Sequence, residues 1–449
     1  MDGTLGDGWE GELGRWLEPF LARLGRKEQR RWAPFYVKGL ILPGERKSVE
    51  PMAARVAPGD LQQLHHFVST SPWVTAPLED EPVRAADRLV GGPDAVLVVD
   101  DTALVKQGRR SVGVKRQYCG QLGKRATCQS LVSLTLAGAE VPVGVGLRLF
   151  LPEDWCADAG RRAAAGVPET VAYRPKWRIA LDEIDRVLAS GARFGHVLAD
   201  AEYGKAAEFR AGLAERQLRF AVGILPTQKV YPPDVTLGFP ERKPSSRPRK
   251  HPAPSAPSVP AAELLEARPA AFRAVSWRVG TKGLLTAEFA ALRVRVADGP
   301  AIAGGRHLPG AEAWLVGEHR ASGEKKYYLS DLPADAPLET LAALIKARWV
   351  CEQMHQQLKD ELGLDHFEGR SWRGLHHHVL LCQLAFAFLQ HLRLGGKKGR
   401  DRARARPATR AEPARRAAAD RGRADPRLAA LPPLPAALRA SPPALNMAG

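Results

Sequence analysis

Only five cysteines occur in the 449 residues, Cys119, Cys128, Cys156, Cys351 and Cys382, and no two stand in a Cys-x-x-Cys spacing. That argues against a zinc module or a disulfide framework and fits a reducing compartment. No apolar run reaches the ~20 residues that a membrane-spanning helix requires. The opening stretch, MDGTLGDGWEGELGRW, lacks the basic flank and apolar run of a secretory leader. A soluble cytoplasmic protein with no membrane partner is therefore expected. Acidic residues are also scarce: 49 Asp and Glu face 66 Lys and Arg, for a net charge of +17. Such an excess points to a polyanionic partner. It is unevenly spread, since residues 393–449 hold 14 Lys/Arg against 4 Asp/Glu and so carry +10 of it.

What is present is length enough for roughly two to three domains, and apolar material, 45% of residues, for a sizeable core. Residues 9–90 read as mostly helical, with Leu13, Trp16, Leu17, Phe20, Leu21 and Leu24 at helical intervals. Aromatics Trp32, Phe35, Tyr36 and Trp73 intersperse with basic residues there, as in a DNA-binding bundle or in an ordinary helical core. At residue 95 the pattern changes. AVLVVDD, TCQSLVSLTLAG and VPVGVGLRLF read as strands, PKWRIALDEIDRVLASG as a helix, HVLAD as a strand, 205–217 as a helix and LRFAVGIL as a strand. The order is β-β-β-α-β-α-β. Residues 232–260 carry nine prolines and read as a flexible or extended surface segment. Further strand-like runs follow, and helix resumes at ETLAALIKARWVCEQMHQQLKDEL and HHHVLLCQLAFAFLQHL. The Arg/Ala/Pro-rich tail from Gly395 is expected to be disordered.

Two apolar strands, VLVVD and HVLAD, end on a carboxylate, Asp100 and Asp200. An acid at a buried strand end needs a cation, a donor or a metal. Each alone could be a plain turn residue bonding backbone amides. Asp101 is the rival of Asp100, which is preferred because it directly ends the apolar run. Glu352, on a helix, could be a third acid, and three carboxylates offer hard oxygen ligands suited to Mg²⁺ or Mn²⁺. Arg348 and Lys359 stand four residues before and seven after Glu352, near one helical face. They could position phosphates, or they could be solvated charges. Lys106, Arg109, Arg110, Lys115 and Arg116 follow the first acid and could touch a DNA backbone, as binding residues, or merely solvate a loop. His376–His378 point different ways on a helix and make a poor metal site. Trp349 and Trp372 could stack on a base, with core packing the alternative for Trp349.

These motifs together resemble the DDE transposases of bacterial insertion sequences, in the branch with a Tyr-x2-Arg-x3-Glu-x6-Lys signature. Here that signature reads Ile345, Arg348, Glu352, Lys359, with Ile345 in the tyrosine position. VVDDTALVKQG is similar to the first acid motif and LADAEYG to the second. SVGVKRQYCGQLGK, YYLSDLP and LGLDHFEGRSWRGLHHH add to the likeness, which runs from Lys38 to Leu392. The resemblance implies an α/β protein with an RNase H-like core, an N-terminal helical domain and a β-rich insertion before the last catalytic helix. The implied divisions are 1–92 helical, with possible DNA binding, 93–228 first part of the core, 229–332 Pro-rich linker and insertion, 333–394 catalytic helices and 395–449 basic tail. It further implies two Mg²⁺ ions, Mn²⁺ being possible, held by Asp100, Asp200 and Glu352, and DNA phosphate contacts from Arg348 and Lys359. The partners would be the element's terminal inverted repeats and target DNA, with a homodimer in the synaptic complex and a nucleoid-associated location in a bacterium. A catalytically inactive DNA-binding derivative, or a metal-dependent nuclease without strand transfer, remain the alternatives.

Overall fold

Five helices open the chain: α1 (Trp9–Leu21), α2 (Lys27–Ile41), α3 (Val49–Val56), α4 (Leu61–Ser69) and α5 (Ala76–Val90). The structure, a computed structural model, describes residues 8–239, 252–280, 283–302 and 305–405. In α1 the buried Leu13, Leu17 and Phe20 recur on one stripe, as the apolar spacing predicts. Trp32, Tyr36 and Trp73 are buried too, so these rings belong to the core, while the neighbouring Arg30 and Arg31 are exposed.

The sheet follows. β1 (Val96–Val105), β3 (Lys124–Gly138) and β4 (Val141–Phe150) form an antiparallel meander, with β2 (Lys115–Cys119) paired to the outer end of β3. Short helices α6 (Glu153–Ala157) and α7 (Ala159–Ala165) lead into α8 (Lys176–Ala189). Then come β5 (His196–Ala199), α9 (Ala201–Gly204), α10 (Ala207–Glu215) and β6 (Arg219–Ile224). β5 lies parallel to β1, and β6 parallel to β5. The order β4–β3–β1–β5–β6, three antiparallel strands and then two parallel ones, is an RNase H-like core. The polar hairpin strand β2 is absent from the strand reading of the sequence, because KRQYC has too few apolar positions to show an inward face.

The segment after β6 is rich in strands: β7 (Lys229–Tyr231), β8 (Leu237–Gly238), β9 (Ala253–Pro254), β10 (Val259–Pro260), β11 (Arg273–Gly280), β12 (Gly283–Val296), β13 (Ala301–Ile302), β14 (Arg306–His307), β15 (Glu312–His319) and β16 (Lys325–Ser330). Helix α11 (Ala261–Glu266) interrupts it. β16 pairs antiparallel with β6, so most of these strands extend the core sheet instead of forming a separate one. In the described part of the Pro-rich stretch β8 pairs with β9, and β10 with β7. Residues 240–251 of it lie outside the described residues.

Three helices follow the last strand among the described residues: α12 (Leu338–Lys346), α13 (Trp349–Asp360) and α14 (Trp372–Ala405). The sequence reads 339–362 as one helix, but it breaks at Ala347–Arg348. There the amides of Val350 and Cys351 bond the carbonyls three residues back, a tightening that redirects the axis. Helix α14 also runs through Ala405, past the expected start of the tail at Gly395. The expectation for the rest of the tail falls outside the described residues. No helix among the described residues is long and apolar enough to cross a membrane.

α14 binds the halves together. Its apolar face shares one core with α1 to α4, α13 and the ends of β1, β3 and β4. A largely buried ion cluster adds to this on the neighbouring side. The Arg148 guanidinium on β4 meets Glu79 of α5 at 2.6 Å and Glu183 of α8 at 2.9 Å. Burial opposes the charge on Glu79, but Arg148 outweighs it and holds that carboxyl down at about 2.

The three adjacent histidines of α14 find three separate surroundings. His376 Nδ1 faces the Trp372 carbonyl, while its Nε2 has no hydrogen-bond partner among the described residues. His377 lies between the carbonyls of Val68 and Trp73 and stacks on the Trp73 ring at 3.5 Å. His378 accepts from the Tyr36 hydroxyl at Nδ1 and donates from Nε2 to Gly363 O. Burial pushes His376 and His377 down to about 4 and His378 to about 3. Below the ordinary value near 6.5 the unfolded chain takes up protons that the folded chain refuses. Stability is thus complete above pH ~6.5 and falls as the pH drops toward 4, by ~1.4 kcal/mol per pH unit for each ring. Thermal melts between pH 7.5 and 5 should show this loss, and His376→Leu should flatten the slope by about one ring's share.

Candidate active site

The parallel register of β1 and β5 sets the centre of the site. Val96 pairs with His196 and Val99 with Ala199, so the next step along both strands sets Asp100 beside Asp200. Neighbouring strands lie about 4.8 Å apart, which makes these two acids adjacent at one sheet rim. The two apolar-acid patterns therefore end together because the strands run in step. Asp200 then caps α9, accepting the amide of Glu202 at 2.9 Å and that of Tyr203 at 3.4 Å. Burial, and after it the charge of Asp100, push Asp200 up to about 6.

Alternation along β1 separates Asp100 from Asp101. Asp101 bonds Lys176 of α8 and accepts the Tyr203 hydroxyl at 2.6 Å. Asp100 meets α13 instead, with the Arg348 guanidinium and the Cys351 thiol, at 3.0 Å, both on Oδ2. Burial disfavours the Asp100 charge, but Arg348 overcomes it and, with the donors around it, holds the carboxyl below the usual range. For Asp101 burial wins over Lys176 and Tyr203, and its pKa is raised.

Arg348 joins the third acid to the first. Its Nη1 binds Asp100, and its Nη2 donates to Glu352 Oε1 at 2.6 Å. The Glu352 side chain is 62% exposed and that of Arg348 only 25%. Asp200, Arg348 and Glu352 line one open cavity of 540 Å³ together with β16, the turn before it and the end of β6.

Among the described residues no three His, Cys, Asp or Glu side chains converge closely enough to hold one ion. The expected three-ligand pocket is therefore not preassembled: Asp100 and Asp200 adjoin, and a guanidinium stands between Asp100 and Glu352. The donor set still fits a divalent metal. It is all carboxylate oxygen, the preference of Mg²⁺ and Mn²⁺. A cation beside Asp100 and Asp200 would also relieve the crowding of like charge that raises Asp200.

The remaining expected residues lie elsewhere. Lys359 is two turns further along α13, where it is buried, and its amine donates to Gln121 Oε1 at 3.2 Å. Burial lowers its pKa. Lys115 on β2 pairs with Asp154 at 2.9 Å, and Arg116 beside it is exposed. Lys106 bonds the carbonyls of Asp365 and Phe367. With Arg46, Arg109, Arg110 and Arg370 it lines a second cavity, of 910 Å³. Trp349 borders the acid cavity under the Arg278 guanidinium, 3.7 Å from its ring centre. Trp372 packs on His376 at 4.2 Å.

Several supporting residues escape the sequence reading. Tyr203 sits inside the LADAEYG motif and was open to notice; Cys351 is one residue before Glu352. Lys176 opens a helix far along the chain and carries no local signal. Gly204 in the same motif has a steric reason: a Cβ there would lie 2.0 Å from the Gly223 carbonyl of β6. Gly204→Ala should push α9 off β6 and carry the Asp200 cap with it. A stability loss of about 1–3 kcal/mol in urea unfolding is expected, together with reduced turnover.

Known proteins resemble this chain in sequence. The description DDE superfamily endonuclease matches residues 19–284, a span that takes in Asp100 and Asp200. The "Probable transposase for insertion sequence element IS701" of Microchaete diplosiphon is 32% identical over 189 residues, which is 41% of this chain and 46% of the relative. The chain thus spans about half the length of that curated relative. A cryo-EM structure of a piggyBac transposase synaptic complex with hairpin DNA is similar at a TM-score of 0.44 and 10% identity, over 88% of this chain and 74% of that one. That likeness is too loose to bear on function. The family match covers well over half of the residues, and on it the chain belongs to the DDE superfamily of endonucleases.

Proposed function

We propose that the chain is the transposase of a bacterial insertion sequence, cutting DNA at the element's ends and joining the freed 3′ end to a target. The observation that carries this reading is the β1–β5 register, which puts Asp100 and Asp200 side by side at a sheet rim. The relative named as a probable transposase supports it. Asp100, Asp200 and Glu352 are the residues that would hold two divalent ions. Those ions, when bound, would supply Lewis acidity to the attacking and leaving oxygens of a phosphodiester.

The chain's own groups do the rest. Asp101, fixed by Lys176 and Tyr203, holds the end of β1 in place. Arg348 carries a forked guanidinium suited to a phosphate once it gives up a carboxylate. Lys115 and Arg116 would meet the DNA backbone further out on β2. Lys359, bonded to Gln121, would act on phosphates only after reorienting. Two copies acting on paired ends form the working assembly.

The test is cleavage of a duplex carrying the element's inverted repeats, with Mg²⁺ or Mn²⁺ and with EDTA as control. Metal-dependent nicking followed by a joined product is the expected result. Nicking without joining would make the chain a nuclease. Binding without nicking would make it an inactive DNA-binding derivative.

A further inference from the structure

Glu318 on β15 has no exposed surface, yet it carries three donors. Lys346 Nζ reaches Oε1 at 2.7 Å, Arg320 Nε the same oxygen at 2.8 Å, and the Tyr328 hydroxyl donates to Oε2 at 2.7 Å. The donors come from three elements: the β15–β16 turn, β16 and the end of α12. All three of them line the cavity that holds Asp200 and Glu352, while Glu318 lies behind. Lys325 and Lys326 of β16 line it too, so four cations stand on this wall against one acid, Glu324.

A buried carboxylate with two cations is a poor way to gain stability, because desolvation consumes most of the attraction. What such a hub does provide is fixed direction. Lys346 stands two residues before Arg348, at the break between α12 and α13. Glu318 therefore ties the inserted strands to the turn that presents Arg348 and Glu352. A cavity with carboxylates and a surplus of oriented cations suits a phosphodiester chain: the cations take phosphate oxygens next to the one that reacts.

We infer that Glu318 is a positioning residue, which sets Lys346, Arg320 and Tyr328 as a wall that grips the DNA backbone beside the reacting phosphate. This rests on the proposed function for its substrate. It makes the inserted strands part of the reaction site, and it assigns roles to residues outside the acid motifs.

Glu318→Gln discriminates this from simple electrostatics. Removing a negative charge near a DNA site should by itself tighten binding and leave turnover alone. A positioning role instead lowers kcat for duplex cleavage at least tenfold and raises KM, the opposite direction to the electrostatic effect. Lys346→Ala should weaken duplex binding and reduce the slope of log affinity against log salt by about one. Tyr328→Phe, which loses only a hydroxyl, should raise KM. Wild-type kcat in Glu318→Gln, or an unchanged salt slope in Lys346→Ala, would overturn the inference. Should Glu318→Gln fail to fold, Lys346→Ala and Tyr328→Phe decide it. Wild-type chain that never cuts would sink the reading of the site as a nuclease, and the salt slope would still judge the wall.

Discussion

Asp200→Asn should abolish DNA cleavage while leaving duplex binding and folding intact. The loss is expected to reach at least ~10³-fold, or ~4 kcal/mol of barrier. Asn keeps the shape and can still accept the amides of Glu202 and Tyr203 through its carbonyl oxygen. It also removes the burial cost of a charge and the repulsion from Asp100, which together raise Asp200, so the melting temperature should hold or rise. Asp100→Asn should behave alike in cleavage but lower stability, because Arg348 loses a buried partner. Asp101→Asn is the informative contrast. It weakens the bonds to Lys176 and Tyr203 and should cost ~1–3 kcal/mol of stability, with a smaller effect on cleavage per folded molecule. Gel assays of cleavage and binding, with melts on the same preparations, read all three. Wild-type cleavage by Asp200→Asn would remove that residue from the site.

Arg148→Ala should be the most damaging change to stability. The guanidinium neutralises Glu79 and Glu183 at once, and it links α5, β4 and α8. Without it two buried carboxylates face each other with only Arg186, which bonds Glu183 at 2.9 Å, to offset them. Breaking a buried pair in this way costs ~3–5 kcal/mol. Lys115→Ala is the natural control. Its pair with Asp154 is about half exposed on both sides and should be worth ~0.2–1 kcal/mol. Urea unfolding midpoints would compare the two directly. Equal effects would mean that the Arg148 cluster is more solvated than its burial suggests.

The centre of the site was legible because it rests on strands. VLVVD and HVLAD advertise themselves by apolar runs that stop at an acid, and a parallel pairing in step brings the two acids together. The core strands and the inserted strands were legible for the same reason. The choice between Asp100 and Asp101 was not, because it depends on which face of β1 meets α13. Nor was the break before Arg348: Ala347 and Arg348 are both good helix formers, and only packing bends the chain there. Regular spacing made Arg348, Glu352 and Lys359 look like one working stripe. The fold exposes Glu352 and buries Lys359 against the β2–β3 turn, since a stripe over two turns spans ~10 Å and meets different neighbours. Charge partners from distant segments, such as Glu318 with Lys346, leave no local trace at all.

One feature of the sheet reaches beyond chemistry. Because β16 is laddered to β6 through four residue pairs, from Tyr327 with Ile224 to Ser330 with Ala221, the inserted strands have no hinge on that side. They cannot swing over the acids as a lid without tearing the ladder next to Asp200. Whatever rearranges when nucleic acid arrives must do so elsewhere: in side chains such as Arg348, or in the connecting loops.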